Sequence, residues 1–449
     1  MNHEVDVMFV VEPKRETPIL MKADLCVIGG GCTGTFAAVR AARMGLSVVI
    51  AEKSNCFGGV AANALSSVWH SLHDVDFKEQ IIGGLTFETI TELTKRGAVN
   101  RGNESVSAYE INNEQLKIVL DEMICEQKKI TPMLHTTYCG LQTENGRVTT
   151  VFVQNKEGRF AVLADFFIDA TGDGDLCRDL KMKRYTFPNI QPPTPCYKVF
   201  GNFDGVNVAD ILQQHHYEVG LPNDWGWSFA LPGADSICTR ADTHVFNVNC
   251  AVASDLTYAE MEGRRQIDRV LKLLNRYGNG KYILTDICSN IGIRDTYHYE
   301  TDYRLTENDL LSGEHFEDAV ANGTYRIDVH DDDHGVSFKY LDGTTEVWKD
   351  RTSVTYGRWR EPTENNPKYY QIPFKTLVQR KYSNFIAVGR MINAEQSAFG
   401  AVRVMVNLNQ LGEAAGVAGA ICVDSNVDIC DVDSKTLRNK LKDGGSIIL

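Results

Sequence analysis

No two cysteines of this 449-residue sequence are spaced as C-x-x-C, although there are twelve of them. That excludes a thioredoxin-type dithiol and the paired-cysteine zinc motifs. The cysteines read as reduced, small buried hydrophobes, with Cys26, Cys250 and Cys422 inside apolar runs. There is no run of Lys and Arg. Asp and Glu (59) outnumber Lys and Arg (46), for a net charge of -13. An acidic surface repels phosphate backbones, which disfavours a nucleic-acid partner. No apolar stretch is long enough to span a bilayer. The longest candidate, 402–423, carries Arg403, Asn407, Asn409, Gln410 and Glu413 and is expected to be a buried helix. A secretory signal is also missing, because Glu4, Asp6, Glu12, Lys14, Arg15 and Glu16 interrupt any apolar segment near the start. A cytoplasmic protein is therefore expected, with no internal repeat and no low-complexity region.

What is present is a large core-forming fraction, 43% hydrophobic residues, on a chain long enough for two or three domains. Residues 23–28 form an apolar run of strand length. Gly29-Gly30-Gly31-Cys32-Thr33-Gly34 follows, then an Ala-rich helical segment to Met44, a stop at Gly45, and a second strand at 46–51 ending in Glu52-Lys53. Strand, glycine turn, helix, strand and acid in register make a dinucleotide site. Gly29 allows the turn, Gly31 lets backbone approach a pyrophosphate, and Gly34 lets helix and strand pack closely. Cys32 and Thr33 bring their N–H groups to the positive helix end. Glu52, followed by Lys53, is placed to bond both ribose hydroxyls and to repel a 2′-phosphate.

Three further features favour a flavin over a nicotinamide dinucleotide. Gly58-Gly59 supplies a second close approach of backbone. Residues 134–143, 147–155 and 159–163 read as a three-stranded meander, followed by a strand at 165–170 that runs into Ala170-Thr171-Gly172-Asp173-Gly174-Asp175. Asp173 or Asp175 is placed to bond ribityl hydroxyls; the alternative is a solvated turn. Finally, a strand at 384–388 ends in Gly389-Arg390, and a helix is expected to start near Gly400, with Val402 and Arg403 in its first turn. Its positive end would face the flavin pyrimidine.

These motifs resemble the bacterial FAD-dependent oxidoreductases, with a FAD domain of the glutathione reductase type and kinship to the fumarate reductase and succinate dehydrogenase flavoproteins. The likeness covers 26–52, Gly58-Gly59, 167–176, 291–306, 371–374 and 385–420. It departs at Tyr297 or His298, where many members have Arg, and at Gln396, where many have His. The resemblance implies an α/β fold with a Rossmann-like FAD/NAD(P)-binding domain and β-meander, plus an inserted α+β capping domain. The FAD domain would comprise 20–190 and 370–430, the cap 191–369, with an N-terminal arm at 1–19 and a tail at 431–449. The implied cofactor is FAD, held noncovalently; attachment through Cys56, His70 or His73 is the alternative.

The expected reaction is hydride transfer between flavin N5 and a small polar, carboxylated substrate, with an unspecified electron acceptor or donor. Arg294 suits a carboxylate clamp, or else an ion pair with Asp295. Arg403 is placed for the flavin or the substrate. Tyr297, His298 and His330 are candidates for proton transfer. His330-Asp331-Asp332-Asp333-His334 has metal-ligand chemistry but reads as an acidic solvated loop, so no metal is expected. Two competing readings stand beside this one. A NAD-dependent dehydrogenase accounts for 29–52 alone, and a non-catalytic flavoprotein, serving as redox sensor or assembly partner, is kept open by Tyr297 and Gln396.

Overall fold

The computed structural model describes residues 10–330 and 335–449. Its principal sheet is built from β1 (Ile19–Ile28), β2 (Val48–Ala51), β3 (Ile130–Met133), β4 (Thr137–Glu144), β5 (Arg147–Asn155), β6 (Gly158–Asp169) and β7 (Phe385–Ala387), in the order β3-β2-β1-β6-β5-β4. β1, β2, β3 and β6 run parallel, with Leu25 opposite Val48 and Phe166. Strands buried on both faces read as continuous apolar runs, which is how 25–28 and 48–51 read. The helix α1 (Cys32–Arg43) crosses between β1 and β2.

The meander and the parallel strands share one long strand. The start of β6 pairs antiparallel with β5, while its end pairs parallel with β7 at Phe167↔Phe385. The expected break between 159–163 and 165–170 is therefore absent. Asn384 seals the junction: its amide donates to the carbonyls of Val148 and Asp165 at 2.8 and 2.9 Å and accepts from Val148 N at 2.9 Å. Sequence positions 236 and 219 residues apart are thereby tied together.

The expected helix from Gly400 is two helices, α2 (Gln396–Val402) and α3 (Met405–Ser425). The interruption has a local cause. Tyr370 Oη and Asn407 Nδ2 both donate to the Ala401 carbonyl, each at 3.3 Å. α3 is apolar on every face and lies against α1, where a Cβ on Gly412 or Gly416 would run into the Thr33 or Ala37 carbonyl.

Between β6 and β7 lies the inserted α+β portion. One antiparallel sheet orders the strands Trp227–Leu231, Ala234–Ala241, Tyr197–Phe200 and Ile283–Ile287, backed by the helix Ala253–Tyr277. A second is a meander of Ile327–His330, Val336–Lys339, Thr344–Trp348 and Val354–Arg358. The alternation over 243–252 predicts a strand, but the strand precedes it. Residues 242–252 instead run as a loop pinned by Val245 N to the Pro193 carbonyl and by His244 to Asp224.

Both chain ends differ from simple appendages. Residues 10–18 have no regular structure, and β1 begins at Ile19. The residues read as a tail contain the helix Ser434–Asp443, which buries Leu437 and Leu441. Beyond it the chain returns so that Arg40 donates to the Gly444 carbonyl and pairs with buried Glu413. Among the described residues no helix is long and apolar enough to cross a membrane.

Candidate functional site

The glycine turn after β1 is held by contacts that only glycine permits. Gly29 has φ +102°, and a Cβ there would strike the Ala170 carbonyl; a Cβ on Gly34 would strike the Gly29 carbonyl. Helix α1 is capped by Gly31 without a side-chain bond and has no acid in its first turn. Its opening N–H groups are left for a ligand, and Gly31, Cys32 and Thr33 line a long cavity there. Glu52 lines the same cavity while its oxygens accept from Gly30 N at 2.6 Å and Ser54 N at 2.8 Å. It thus holds the turn in shape and keeps lone pairs for a ribose. Lys53, Gly58 and Gly59 line the cavity beside it.

The cavity continues past Ala170, Gly172 and Asp173 to Gly389 and Arg390. Gly172 has φ +82° and lies under the Arg390 guanidinium. Asp173 pairs with Arg390 and accepts from Thr296 Oγ1 at 2.9 Å, whereas Asp175 pairs with Arg178 and is absent from the lining. The turn itself is tied by Asp169, whose carboxylate accepts from Thr171, Leu176 and Cys177 N–H groups. Gly400 packs on the Asp328 backbone and Val402 is buried; neither lines the cavity. The helix end that does is that of α3, through Arg403, Val404 and Met405.

Two buried amides on this path lack partners. Asn409 has neither amide atom bonded, and Asn63 Nδ2 is free while its Oδ1 accepts from the Cys56 thiol at 3.1 Å. Both line the cavity. Buried amides are normally satisfied, so these are groups awaiting a ligand. Asn409 is one of four buried polar residues in α3, with Asn407, Gln410 and Glu413, so the sequence did not single it out, nor did it single out Asn63.

At the far end the cavity is bounded by His70, Arg294, Tyr325, Arg326, Asp328, His330 and Arg403. Asp328 accepts from Tyr325 Oη at 2.8 Å and from Arg403 Nη2 at 3.1 Å. Burial opposes its charge, yet the guanidinium groups of Arg403 and Arg294 hold its carboxyl well below the usual range. Arg294 makes no ion pair among the described residues. Its Nη1 donates to His330 Nε2 at 2.9 Å, while Asp295 bonds His298 instead. Burial and then Arg403 lower Arg294 to about 10. Arg326 lies on the faces of Phe338, Tyr325 and Tyr340 with no carboxylate partner among the described residues. His70 stacks on Tyr325 with ring centroids 3.9 Å apart, and burial followed by Arg326 lowers it to about 3. Tyr325 and Arg326 lie in the loop just before the strand Ile327–His330, which carries Asp328, and this segment's pattern carried no chemical signature.

His298 and Tyr297 are elsewhere. The His298 ring is fully buried among Tyr185, Phe187 and Phe399, bonded to the Ile392 carbonyl and Asp295. Tyr297 stacks under Arg184. Neither lines the cavity. Gln396, the other departure, donates to the Asn189 carbonyl at 2.7 Å. Of the acidic loop, His330 is described and buried; Asp331 to His334 lie outside the described residues.

The residues along this path fit a dinucleotide with a flavin. Bare glycine backbone and a helix end suit the diphosphate, Glu52 the ribose, and orphaned amides and a second helix end the ring.

Comparison with known proteins gives three findings. A family described as FAD dependent oxidoreductase matches residues 24–441. The mitochondrial dihydrolipoyl dehydrogenase of Schizosaccharomyces pombe is 27% identical over 130 residues, which cover 29% of this chain and 22% of that protein. Among solved structures, a geranylgeranyl bacteriochlorophyll reductase-like protein from Thermoplasma acidophilum superposes with TM-score 0.46 and 12% identity, covering 94% of this chain and 83% of that one. The p-nitrophenol 4-monooxygenase of Pseudomonas putida DLL-E4 gives 0.43 and 10%, with 94% and 89% covered.

Proposed function

Since the chain belongs to the FAD dependent oxidoreductase family, we propose that this FAD-using enzyme exchanges a hydride with a small carboxylated substrate, gripped by Arg294 and Arg403. When bound, FAD supplies the two-electron chemistry; the protein supplies position, charge and proton transfer. The carrying observation is a charge imbalance at the far end of the cavity. Among the described residues, Arg294, Arg326 and Arg403 face one carboxylate at this end, Asp328, and the bordering His70 and His330 are held neutral. Buried cations without partners are costly, and a carboxylate bonded bidentately by guanidinium relieves that cost.

The roles of the remaining residues follow from their placement. Arg294 turns from His330 to the incoming carboxylate, which frees the His330 Nε2 lone pair for a substrate proton. Asp328 orients Arg403 and accepts from Tyr325. Asn63, Asn409 and the start of α3 hold the flavin ring, Gly29 to Gly34 the diphosphate, Glu52 the ribose, and Asp173 with Arg390 the ribityl chain. We assign 20–190 and 370–430 to FAD binding and 191–369 to the cap. Binding is noncovalent in this reading, because Cys56 is buried and its thiol is pushed up by burial.

The test is anaerobic mixing of the FAD-loaded protein with a panel of small hydroxy and dicarboxylic acids and their methyl esters, read at the flavin absorbance. Acids should bleach the flavin and esters should not. In Arg294→Ala the productive acid should bind about 30-fold more weakly or worse, because truncating one partner of a buried charge pair costs about 2–5 kcal/mol. Equal bleaching by acids and esters would refute the clamp.

A further inference from the structure

Behind the cavity wall lies a group of three buried side chains that the reading above does not use fully. Asp224, His244 and His330 each bring a polar atom within 4.8 Å of the others. Only His330 reaches the cavity lining. Their hydrogen bonds fix where the ring protons sit. A guanidinium N–H can only donate, so His330 Nε2, 2.9 Å from Arg294 Nη1, is an acceptor. Burial, then His244 and Arg294, lower the His330 pKa, so the ring is neutral and its proton is on Nδ1. His244 Nδ1 lies 2.7 Å from Asp224 Oδ2, which accepts when ionised, so the His244 proton is on Nδ1 and its Nε2 carries a lone pair. Burial and then Arg294 also keep His244 neutral.

This leaves one buried donor, His330 Nδ1, and one buried acceptor, His244 Nε2, both without partners among the described residues, on rings whose centroids are 4.6 Å apart. We propose that His330, His244 and Asp224 form a proton relay that carries a proton from the substrate pocket to a buried carboxylate. Each step balances. A substrate proton bonds to His330 Nε2 as the Nδ1–H bond of that ring breaks. That second proton passes through one bridging water to His244 Nε2, as the Nδ1–H bond of that ring breaks. The third proton ends on Asp224 Oδ2. One carboxylate becomes a carboxylic acid and no electrons move. Run in reverse, the same chain returns a proton to the pocket.

The ends of the relay are matched to that task. Burial raises Asp224 to about 6, against the lowering pull of Arg351, the Trp225 N–H and Arg294. The carboxylate is thus an acceptor above that pH and a loaded donor below it. The two rings between hold no proton of their own in excess, so they transmit rather than store it. The same three side chains are a poor cation site. The His330 nitrogen beside His244 is already protonated, and the guanidinium groups of Arg294, Arg351 and Arg403 repel a cation.

The relay rests on the reading of the pocket given above, and its test uses neither substrate nor a redox step, so the two fail separately. In FAD-loaded protein, a pH jump from 7.5 to 5.5 is followed by infrared absorption of the carboxylic acid carbonyl. The Asp224 band is identified by its loss in Asp224→Asn. Its appearance should slow at least tenfold in His330→Phe, because the phenyl ring carries no proton. His244→Gln should give the same slowing and serves where His330→Phe does not load FAD. An unchanged rate, a band insensitive to Asp224→Asn, or one metal ion per chain by elemental analysis would each overturn the relay.

Discussion

Replacing Glu52 by Gln isolates what this side chain contributes to the nucleotide site. The volume hardly changes, but two acceptor oxygens become one oxygen and one NH2. In the native turn both oxygens are used, by Gly30 N at 2.6 Å and Ser54 N at 2.8 Å. A hydrogen bond to a charged group contributes about 1.5–3 kcal/mol. Gln keeps one as a weaker neutral bond and turns the other into a donor facing a donor. The loss to the folded apoprotein should be about 2–4 kcal/mol. The ribose bonds add a separate loss to FAD affinity of about 1–2 kcal/mol, or roughly tenfold in Kd. Urea unfolding of the apoprotein reads the first quantity, and quenching of FAD fluorescence on titration reads the second. An apoprotein within about 0.5 kcal/mol of the native one, with FAD affinity within a factor of about two, would refute this account of the turn.

Acid should destabilise the protein through two buried imidazoles, offset in part below about pH 6 by Asp169 and Asp224, whose folded carboxyls burial raises to about 6. His244 and His330 have folded pKa values far below 6.5, so below that pH the unfolded chain binds protons that the folded one refuses. Their contribution is complete above pH 6.5 and falls by up to about 1.4 kcal/mol per group per pH unit below it. Urea unfolding at pH 7 and 5.5 should show this, and His244→Gln should flatten the difference. Gly416→Ala should cost about 1–3 kcal/mol in the same assay, since its Cβ has only the Ala37 backbone to move into; a neutral result would mean that α1 and α3 are not packed this closely. Acid precipitation should leave a colourless pellet and free FAD, whereas yellow pelleted protein would reveal covalent attachment.

The parts of the fold that could be read in advance are those fixed by neighbouring residues. The glycine turn follows from spacing within 29–34, and the meander follows from alternation and turn residues. The interruption at Arg403 could not be read, because no glycine or proline marks it. Its cause is Tyr370 and Asn407 taking the Ala401 carbonyl, and Tyr370 lies 31 residues away. The same distance problem governs the site. Arg294 reaches the cavity while His298, four residues on, is turned into the core by Asp295 and the Phe187 ring. His244 and Asp224 are 20 residues apart in a segment with no periodicity pointing at either. Spacing identifies a motif when the chain is local, and it carries nothing when single residues from separate loops converge.

One physical pattern joins the two ends of the cavity. At the nucleotide end, bare N–H groups and the amides of Asn63 and Asn409 lack partners. At the far end, among the described residues, Arg294 and Arg326 lack carboxylates and His330 lacks an acceptor for its ring proton. Each such group costs the folded chain free energy, about 1–3 kcal/mol when neutral and more when charged. A core as extensive as the one joining α1, α3 and the parallel sheet tolerates that cost. Several such groups lie along one continuous path, as a site completed by its ligands requires. FAD and an anion binding there should therefore stabilise the fold in proportion to their concentrations over Kd, each acting on its own end of the cavity.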